Sequence, residues 1–380
     1  MGPREFLERL VAFDTTSAKS NLPLLDFVAG YLEGHGVRSG RVFDETGAKA
    51  NLWATIGPDK PGGVVLSGHT DVVPVTGQSW DSDPFSVVER DGRLVGRGTA
   101  DMKAFLAVAL SLVPEFTRAH LKAPIHFAFS YDEEVGCIGV RRLIPRLADR
   151  KFRAVIVGEP TSMRVVTAHK GIRTFRTTVT GSEAHGSRSD LGTNAIMHAA
   201  KLIAFLRKAA QDFRDRADPS SGYEPPYPTI NVGVIEGGTA LNIVPKTCSF
   251  LWEYRAPAHA DMDELVRRFE AFGRDEVLPK MRSEHPDADI VTVPTHEVPA
   301  LVDEPQSEAA TLALALAASN EPHRVSYGSE AGLFRAAGIS TVLCGPGDIA
   351  DAHRPNESIA ISQIDACVRF QRGLIRYLAA

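Results

Sequence analysis

Four short, uninterrupted apolar runs, each breaking off into small or acidic residues, constrain this chain more than any other feature. Val64-Val65-Leu66-Ser67 runs into Gly68-His69, and Ile125-His126-Phe127-Ala128-Phe129 into Ser130-Tyr131-Asp132-Glu133-Glu134. Ala154-Val155-Ile156-Val157 runs into Gly158-Glu159, and Ser340-Thr341-Val342-Leu343-Cys344 into Gly345-Pro346-Gly347. Strands of this kind are buried on both faces, which is the habit of largely parallel sheets covered by helices. Helical spacing appears between and around them. Phe6, Leu7, Leu10 and Val11 share one helical face, as do Leu24, Leu25, Phe27, Val28 and Leu32, and residues 102–113 and 330–337 predict two more helices. The fold class expected is α/β.

The middle of the chain follows another pattern. Residues 172–180 alternate as a half-exposed antiparallel strand does, 193–208 predict a helix, and 212–228 form a loop rich in Pro, Asp, Ser and Gly. Strands around 229–235 and 247–255 and an amphipathic helix over 261–272 follow. This α+β pattern sits inside the α/β one. The expected organisation is therefore a first domain of residues 1–172 and 291–380, interrupted by an inserted domain of residues 173–290.

At 380 residues the chain can bury a large core without covalent staples. Its four cysteines, Cys137, Cys248, Cys344 and Cys367, form no Cys-x-x-Cys pair, so neither a disulfide framework nor a thiolate zinc site is expected, and Cys137 reads as a small buried filler. Forty-two basic against 47 acidic residues leave a formal charge of −5, with no basic block to attract nucleic acid or anionic lipid. The N-terminal residues carry no apolar signal core, and no apolar run approaches the roughly 20 residues that span a bilayer. A cytoplasmic protein with neither nucleic acid nor membrane as partner is expected.

In an open parallel sheet, chemistry collects at the carboxyl ends of the strands. Those ends carry His69 and Asp71, Glu133 and Glu134, and Glu159; Asp101 precedes a helix, and His353 lies in a late loop. Oxygen and imidazole donors without thiolate suit zinc, or cobalt or manganese, in a catalytic site. Five such ligands exceed the need of one tetrahedral ion with an open position. They match two ions ~3.5–4 Å apart that share a carboxylate. Asp71, two residues past His69, points the same way on an extended segment, so its carboxylate is expected to accept the imidazole N–H. Glu133 and Glu134 are neighbours that point to opposite sides. One is therefore expected to ligate and the other to act as a base toward bound water.

Ser67-Gly68-His69-Thr70-Asp71-Val72-Val73-Pro74, Trp80-Asp81-Ser82-Asp83-Pro84-Phe85 and Gly96-Arg97-Gly98-Thr99-Ala100-Asp101-Met102-Lys103 resemble the M20 family of metallopeptidases and amidohydrolases. Asp132-Glu133-Glu134-Val135-Gly136, Gly158-Glu159-Pro160-Thr161 and Gly237-Gly238-Thr239-Ala240-Leu241-Asn242 extend the resemblance over essentially the whole chain. It implies a zinc-exopeptidase-like catalytic domain with a largely parallel central sheet, plus an inserted α+β lid and dimerisation domain. It implies two zinc ions, with cobalt or manganese as substitutes. His69, Asp101 and Glu159 would hold one ion; Asp101, Glu134 and His353 would hold the other. Glu133 would be the general base and acid, and Asp71 would orient His69.

The resemblance also implies a homodimer. His185, in Gly181-Ser182-Glu183-Ala184-His185-Gly186-Ser187, would act in trans at the other copy's site and donate to the developing oxyanion, although Gly186 departs from the family's usual serine there. Arg255 and Asn242 would take the α-carboxylate of a small N-acylated amino acid. Gly77-Gln78-Ser79-Trp80, Glu134-Val135-Gly136-Cys137 and Tyr327-Gly328-Ser329-Glu330-Ala331-Gly332 resemble the branch that releases acetate from N-acetyl-L-ornithine in arginine biosynthesis. Alternatives are succinyl-diaminopimelate desuccinylation, hydrolysis of other N-acyl amino acids or dipeptides, or a non-catalytic metal-binding protein of the same fold. Glu330 is the expected discriminator. A negative charge there would suit the terminal amine of ornithine and repel the extra carboxylates of succinyl-diaminopimelate.

Overall fold

The computed structural model describes residues 1–147 and 150–380. Along the chain the strands are β1 (Ser39–Phe43), β2 (Ala50–Ile56), β3 (Val64–His69), β4 (Val88–Arg90) and β5 (Arg93–Val95). They continue as β6 (Ile125–Ser130), β7 (Ala154–Pro160), β8 (Val166–His169), β9 (Gly171–Thr180) and β10 (Thr229–Gly237). The last five are β11 (Thr247–Ala256), β12 (Asp289–Val298), β13 (His323–Val325), β14 (Thr341–Gly345) and β15 (Ser358–Ala360). Two compact units result. One comprises Met1–Ala168, Leu301–Arg324 and Ser329–Ala380; the other comprises His169–Ala300 and Val325–Gly328.

The first unit is built on an eight-stranded sheet of order β1-β2-β6-β3-β7-β14-β8-β13. β3 runs parallel to β6 and β7, and β14 parallel to β7. β1, β2 and β8 are antiparallel to their neighbours and flank that parallel centre. Every residue of β3, β6, β7 and β14 is buried, as the four apolar runs require. The helix Ala104–Ser111 is apolar all round and is buried through its first seven residues. It lies close because Gly158 has no Cβ: one placed there would meet the Phe105 ring at 2.0 Å. Helices Pro3–Val11 and Ile361–Ala379 contribute Phe6, Leu10, Phe370 and Leu374 to the same core.

The second unit is an antiparallel sheet of order β10-β11-β9-β12. Alternate residues of β11, Cys248, Phe250, Trp252 and Tyr254, are buried in a core shared with helices Ala195–Asp215 and Met262–Phe272. The β9–β12 ladder continues to Val298 opposite Ile172, so the compact unit is wider than residues 173–290. The first helix also runs past residue 208 and into the expected loop, because Phe213 stacks on Tyr254 with ring centres 5.7 Å apart. The remaining loop is tied down by Lys170, whose ammonium donates to the carbonyls of Pro225 at 2.8 Å and Tyr227 at 2.7 Å.

Candidate metal centre

The parallel strands deliver their polar ends to one place. His69 is the last residue of β3, Glu133 and Glu134 follow β6, and Glu159 is near the end of β7. Asp101 enters after Gly98, which turns the chain at φ +84°, a conformation glycine adopts without penalty. Asp101 has one oxygen toward each imidazole: Oδ1 is 3.0 Å from His69 Nε2 and Oδ2 is 3.1 Å from His353 Nε2. Glu134 meets the same His353 nitrogen at 3.0 Å. Donor atoms of His69, Asp101 and Glu134 lie within 4.8 Å of one another, as do those of His69, Glu133 and Glu159.

Asp71 works differently from the expectation. The His69 Nδ1 contact at 2.9 Å is with the Asp71 backbone carbonyl, while the carboxylate is 3.7 Å away. A carbonyl only accepts, so Nδ1 carries the hydrogen and Nε2 is left to ligate. The Asp71 carboxylate instead accepts the backbone N–H groups of Glu133 at 3.1 Å and Glu134 at 3.3 Å, and the Ser17 hydroxyl at 2.7 Å. Asp71 therefore orients His69 through its backbone and the two glutamates through its side chain.

The electrostatics are those of a crowded anionic cluster. Burial, opposed by His69 and reinforced by the Glu134 and Asp101 carboxylates, pushes Glu133 up to about 8. Burial and Asp101 push Glu134 up to about 7 against its hydrogen bond to His353. Burial also works against ionised Asp101, but hydrogen bonds from His353 and His69 outweigh it and hold that carboxyl below the usual range. Hydrogen bonds to Asp101 and Glu134 raise His353 to about 11. Glu159, raised by burial and by Asp101, keeps a buried Oε1 with no hydrogen-bond partner. An orphaned carboxylate oxygen beside three further carboxylates and two imidazoles fits divalent cations of the zinc type.

The sequence profile of Peptidase family M20/M25/M40 matches residues 65–377, a span that contains every one of these residues. The chain belongs to that family. Similarity to curated proteins runs along nearly its full length. It is 36% identical over 370 residues to "Acetylornithine deacetylase" of Myxococcus xanthus, covering 96% of this chain and 94% of that protein. It is 31% identical to the protein of the same name from Proteus mirabilis (strain HI4320), covering 93% and 89%. Among solved structures, human carnosine dipeptidase 1 superposes with a TM-score of 0.77 at 19% identity, covering 99% of this chain and 97% of that one. The M20 metallo-carboxypeptidase Sso-CP2 from Sulfolobus solfataricus also gives 0.77, at 17% identity, with 99% of each chain covered. Both show the shared fold. As an M20 member, this chain is a metal-dependent amidohydrolase. Among the described residues no helix is long and apolar enough to cross a membrane.

The remaining expected residues of this M20 enzyme fall in two places. His185, Asn242 and Arg255 belong to the second unit. His185 is exposed, and its Nδ1 accepts the Ser187 N–H at 3.2 Å, which leaves the ring hydrogen on Nε2. Gly186 has a local reason: its N–H donates to the Asn242 carbonyl at 2.7 Å, and a Cβ there would sit 2.9 Å from that oxygen. The Arg255 fork is engaged by Glu253 of the same strand, at 3.1 and 3.0 Å. Glu330, in the first unit, is 0% exposed. Its oxygens accept the Ser67 hydroxyl at 2.5 Å and the Ser130 hydroxyl at 2.7 Å. It braces β3 against β6 from a fully buried position, whereas the expected discriminating role calls for a charge open to the substrate.

Several supporting residues escaped the sequence reading. Glu357 accepts two backbone N–H groups of the Asp101 loop, and Arg97 pairs with it. Lys103 is fully buried and donates to the carbonyls of Leu10 and Phe13, and burial draws its ammonium down to about 7. Cys137 is more than filler: its Sγ lies 3.2 Å from Glu133 Oε1. The only signal in the sequence was proximity, with Glu357 four residues past His353 and Arg97 four before Asp101.

Proposed function

We propose that the protein hydrolyses N-acetyl-L-ornithine to L-ornithine and acetate, the deacetylation that serves arginine biosynthesis, with two zinc ions and Glu133 as the proton carrier. The observation that supports the two-ion reading most directly is Asp101, with one oxygen 3.0 Å from His69 and the other 3.1 Å from His353. The choice of acyl amino acid rests on the curated relatives that bear the deacetylase name over more than nine-tenths of this chain.

His69, Asp101 and Glu159 would hold one ion, and Asp101, Glu134 and His353 the other. Bound there, the ions would polarise the acyl carbonyl and lower the pKa of bound water. The residues of the chain supply the rest. Glu133, its backbone anchored on Asp71, takes a proton on its carboxylate and returns it to the departing amine. His185 accepts the Ser187 N–H at Nδ1, which leaves Nε2 to donate to an oxyanion, and in this reading it serves the site of the partner copy in a homodimer. Arg255 presents a planar fork suited to an α-carboxylate, which would compete with Glu253 for it. Asn242 would add an amide donor.

Amine release is the test, measured on N-acetyl-L-ornithine, N-acetyl-methionine and N-succinyl-diaminopimelate with zinc-loaded and chelator-stripped protein. Zinc-dependent turnover led by acetylornithine is expected. A lead by either other substrate would keep the amidohydrolase and discard this choice of substrate.

A further inference from the structure

His353 differs from the other ligands in what holds it. It lies outside any strand, its side chain is 51% exposed, and its backbone sits at φ +62°, a region disfavoured for any residue with a Cβ. Its carbonyl accepts the Gln78 Nε2 amide at 2.8 Å. Gln78 Oε1 in turn accepts Arg97 Nη2 at 2.5 Å and the Trp80 indole N–H at 3.2 Å. Arg97 Nη1 donates to Glu357 Oε2 at 2.6 Å, and the guanidinium lies over the Trp80 ring, 5.1 Å from its centre. Glu357 Oε1 accepts the backbone N–H of Ala100 at 2.9 Å and of Asp101 at 3.0 Å.

These bonds make one continuous strut from the backbone of His353 to the backbone of Asp101, and none of its atoms is a metal donor. Its orientation is unique. Arg97 and Trp80 can only donate and the His353 carbonyl can only accept, so the Gln78 amide fits in one sense. Arg97 and Glu357 are each 1% exposed, and a buried pair of this kind contributes geometry more than stability. Two of the three inner ligands need no such support: His69 and Glu159 sit on strands within the sheet ladder, and the third, Asp101, is held by Glu357 at the end of the strut farthest from Gln78.

We propose that Gln78, Arg97 and Glu357 are positioning residues that set the affinity of the outer metal position, built from Asp101, Glu134 and His353, and leave the inner position nearly unchanged. The proposal rests on the two-ion reading above. It also gives the Gly77-Gln78-Ser79-Trp80 stretch a physical task.

The test is a zinc titration of the full-length protein against a chromophoric chelator, followed as metal bound per chain and paired with the thermal unfolding midpoint of the metal-free form. Half-buried Gln78 allows substitution without opening the core. Gln78→Ala is expected to weaken one of two zinc affinities by about 10–100-fold and to shift the other by less than about threefold. Gln78→Glu keeps the acceptor for Arg97 but turns a carboxylate on the His353 carbonyl, and is expected to lose at least as much at that one position. Arg97→Lys keeps the charge without the fork and should fall between wild type and Gln78→Ala. Equal losses at both positions, or two unchanged affinities in both Gln78 variants, overturn the proposal. Wild-type protein that takes a single ion fails the two-ion reading instead, and that result is visible before any variant is made.

Discussion

The two imidazoles of the centre are held in opposite ways. His69 is 1% exposed, ends a strand hydrogen-bonded on both sides, and has its tautomer set by the carbonyl of Asp71 two residues on. His353 is half exposed in a loop, in a left-handed conformation, and depends on contacts from residues far away in sequence. A ligand on a strand inherits its position from the sheet. A ligand on a loop must be positioned by side chains recruited for the purpose, and those side chains become part of the site.

The sharpest way to break this comparison is to remove each imidazole. His69→Ala should leave a protein that retains neither ion, because the inner position loses its imidazole and Asp101, which the outer position shares, loses the His69 contact that holds its Oδ1; His353→Ala should retain one. Metal analysis after gel filtration decides it, and equal retention would make the two positions equivalent.

Glu133→Gln comes next. It should keep the wild-type metal content while amine release falls by about 10²–10⁴-fold. Loss of metal in that variant would move Glu133 from proton carrier to ligand, which its place in the His69–Glu159 group makes a real alternative.

A third test uses protons. In the metal-free protein, hydrogen bonds to Asp101 and Glu134 keep His353 protonated up to about 11, and burial with Asp101 keeps Glu134 protonated up to about 7. Zinc takes neutral imidazole and ionised carboxylate, so binding must expel those protons. His69, raised by its hydrogen bond to Asp101 against burial, and Glu159, raised by burial, add their protons to that of His353; at pH 6 the Glu134 proton goes as well, and zinc affinity therefore rises from pH 6 to pH 8. Calorimetry in buffers of different ionisation heat measures the count, and a pH-independent affinity would show that none of these protons is held.

The smallest effect is expected at Glu330. Glu330→Gln turns an amide N–H₂ toward one of two serine hydroxyls, with a loss of about 1–3 kcal/mol in stability by denaturant unfolding. The ratio of acetylornithine to succinyl-diaminopimelate turnover should not move. A changed ratio would return Glu330 to the substrate.

Legibility followed the same division. The parallel strands announced themselves as apolar runs, and the residues after them were readable as ligands because strand ends converge in any sheet of this class. His353, in a loop with no strand behind it, was readable as a candidate donor by residue type, and its grouping with Asp101 and Glu134 only through family resemblance. Gln78, Arg97 and Glu357 went unread in the roles they play, since a half-buried amide and an Arg–Glu pair carry no local pattern. Glu330 was expected to present its charge to the substrate, whereas the fold seats that turn against Ser67 and Ser130 of two core strands, a contact no local pattern announces. Asp71 was placed correctly beside His69 and assigned the wrong atom, because a two-residue spacing gives the side of the strand and not which oxygen lies nearer.

Apolar periodicity and the chemistry of its donors were enough, from the sequence alone, to specify an α/β protein with an α+β insert and a hard-donor centre at the carboxyl edge of its sheet. Those properties are local, or repeat with the period of a strand or helix. Only the tertiary structure decided which carboxylate oxygen faces which imidazole, which glutamate is sealed away, and what braces the loop of His353. Each of those depends on contacts between residues as much as about 275 positions apart, such as Gln78 with His353, for which sequence spacing carries no information.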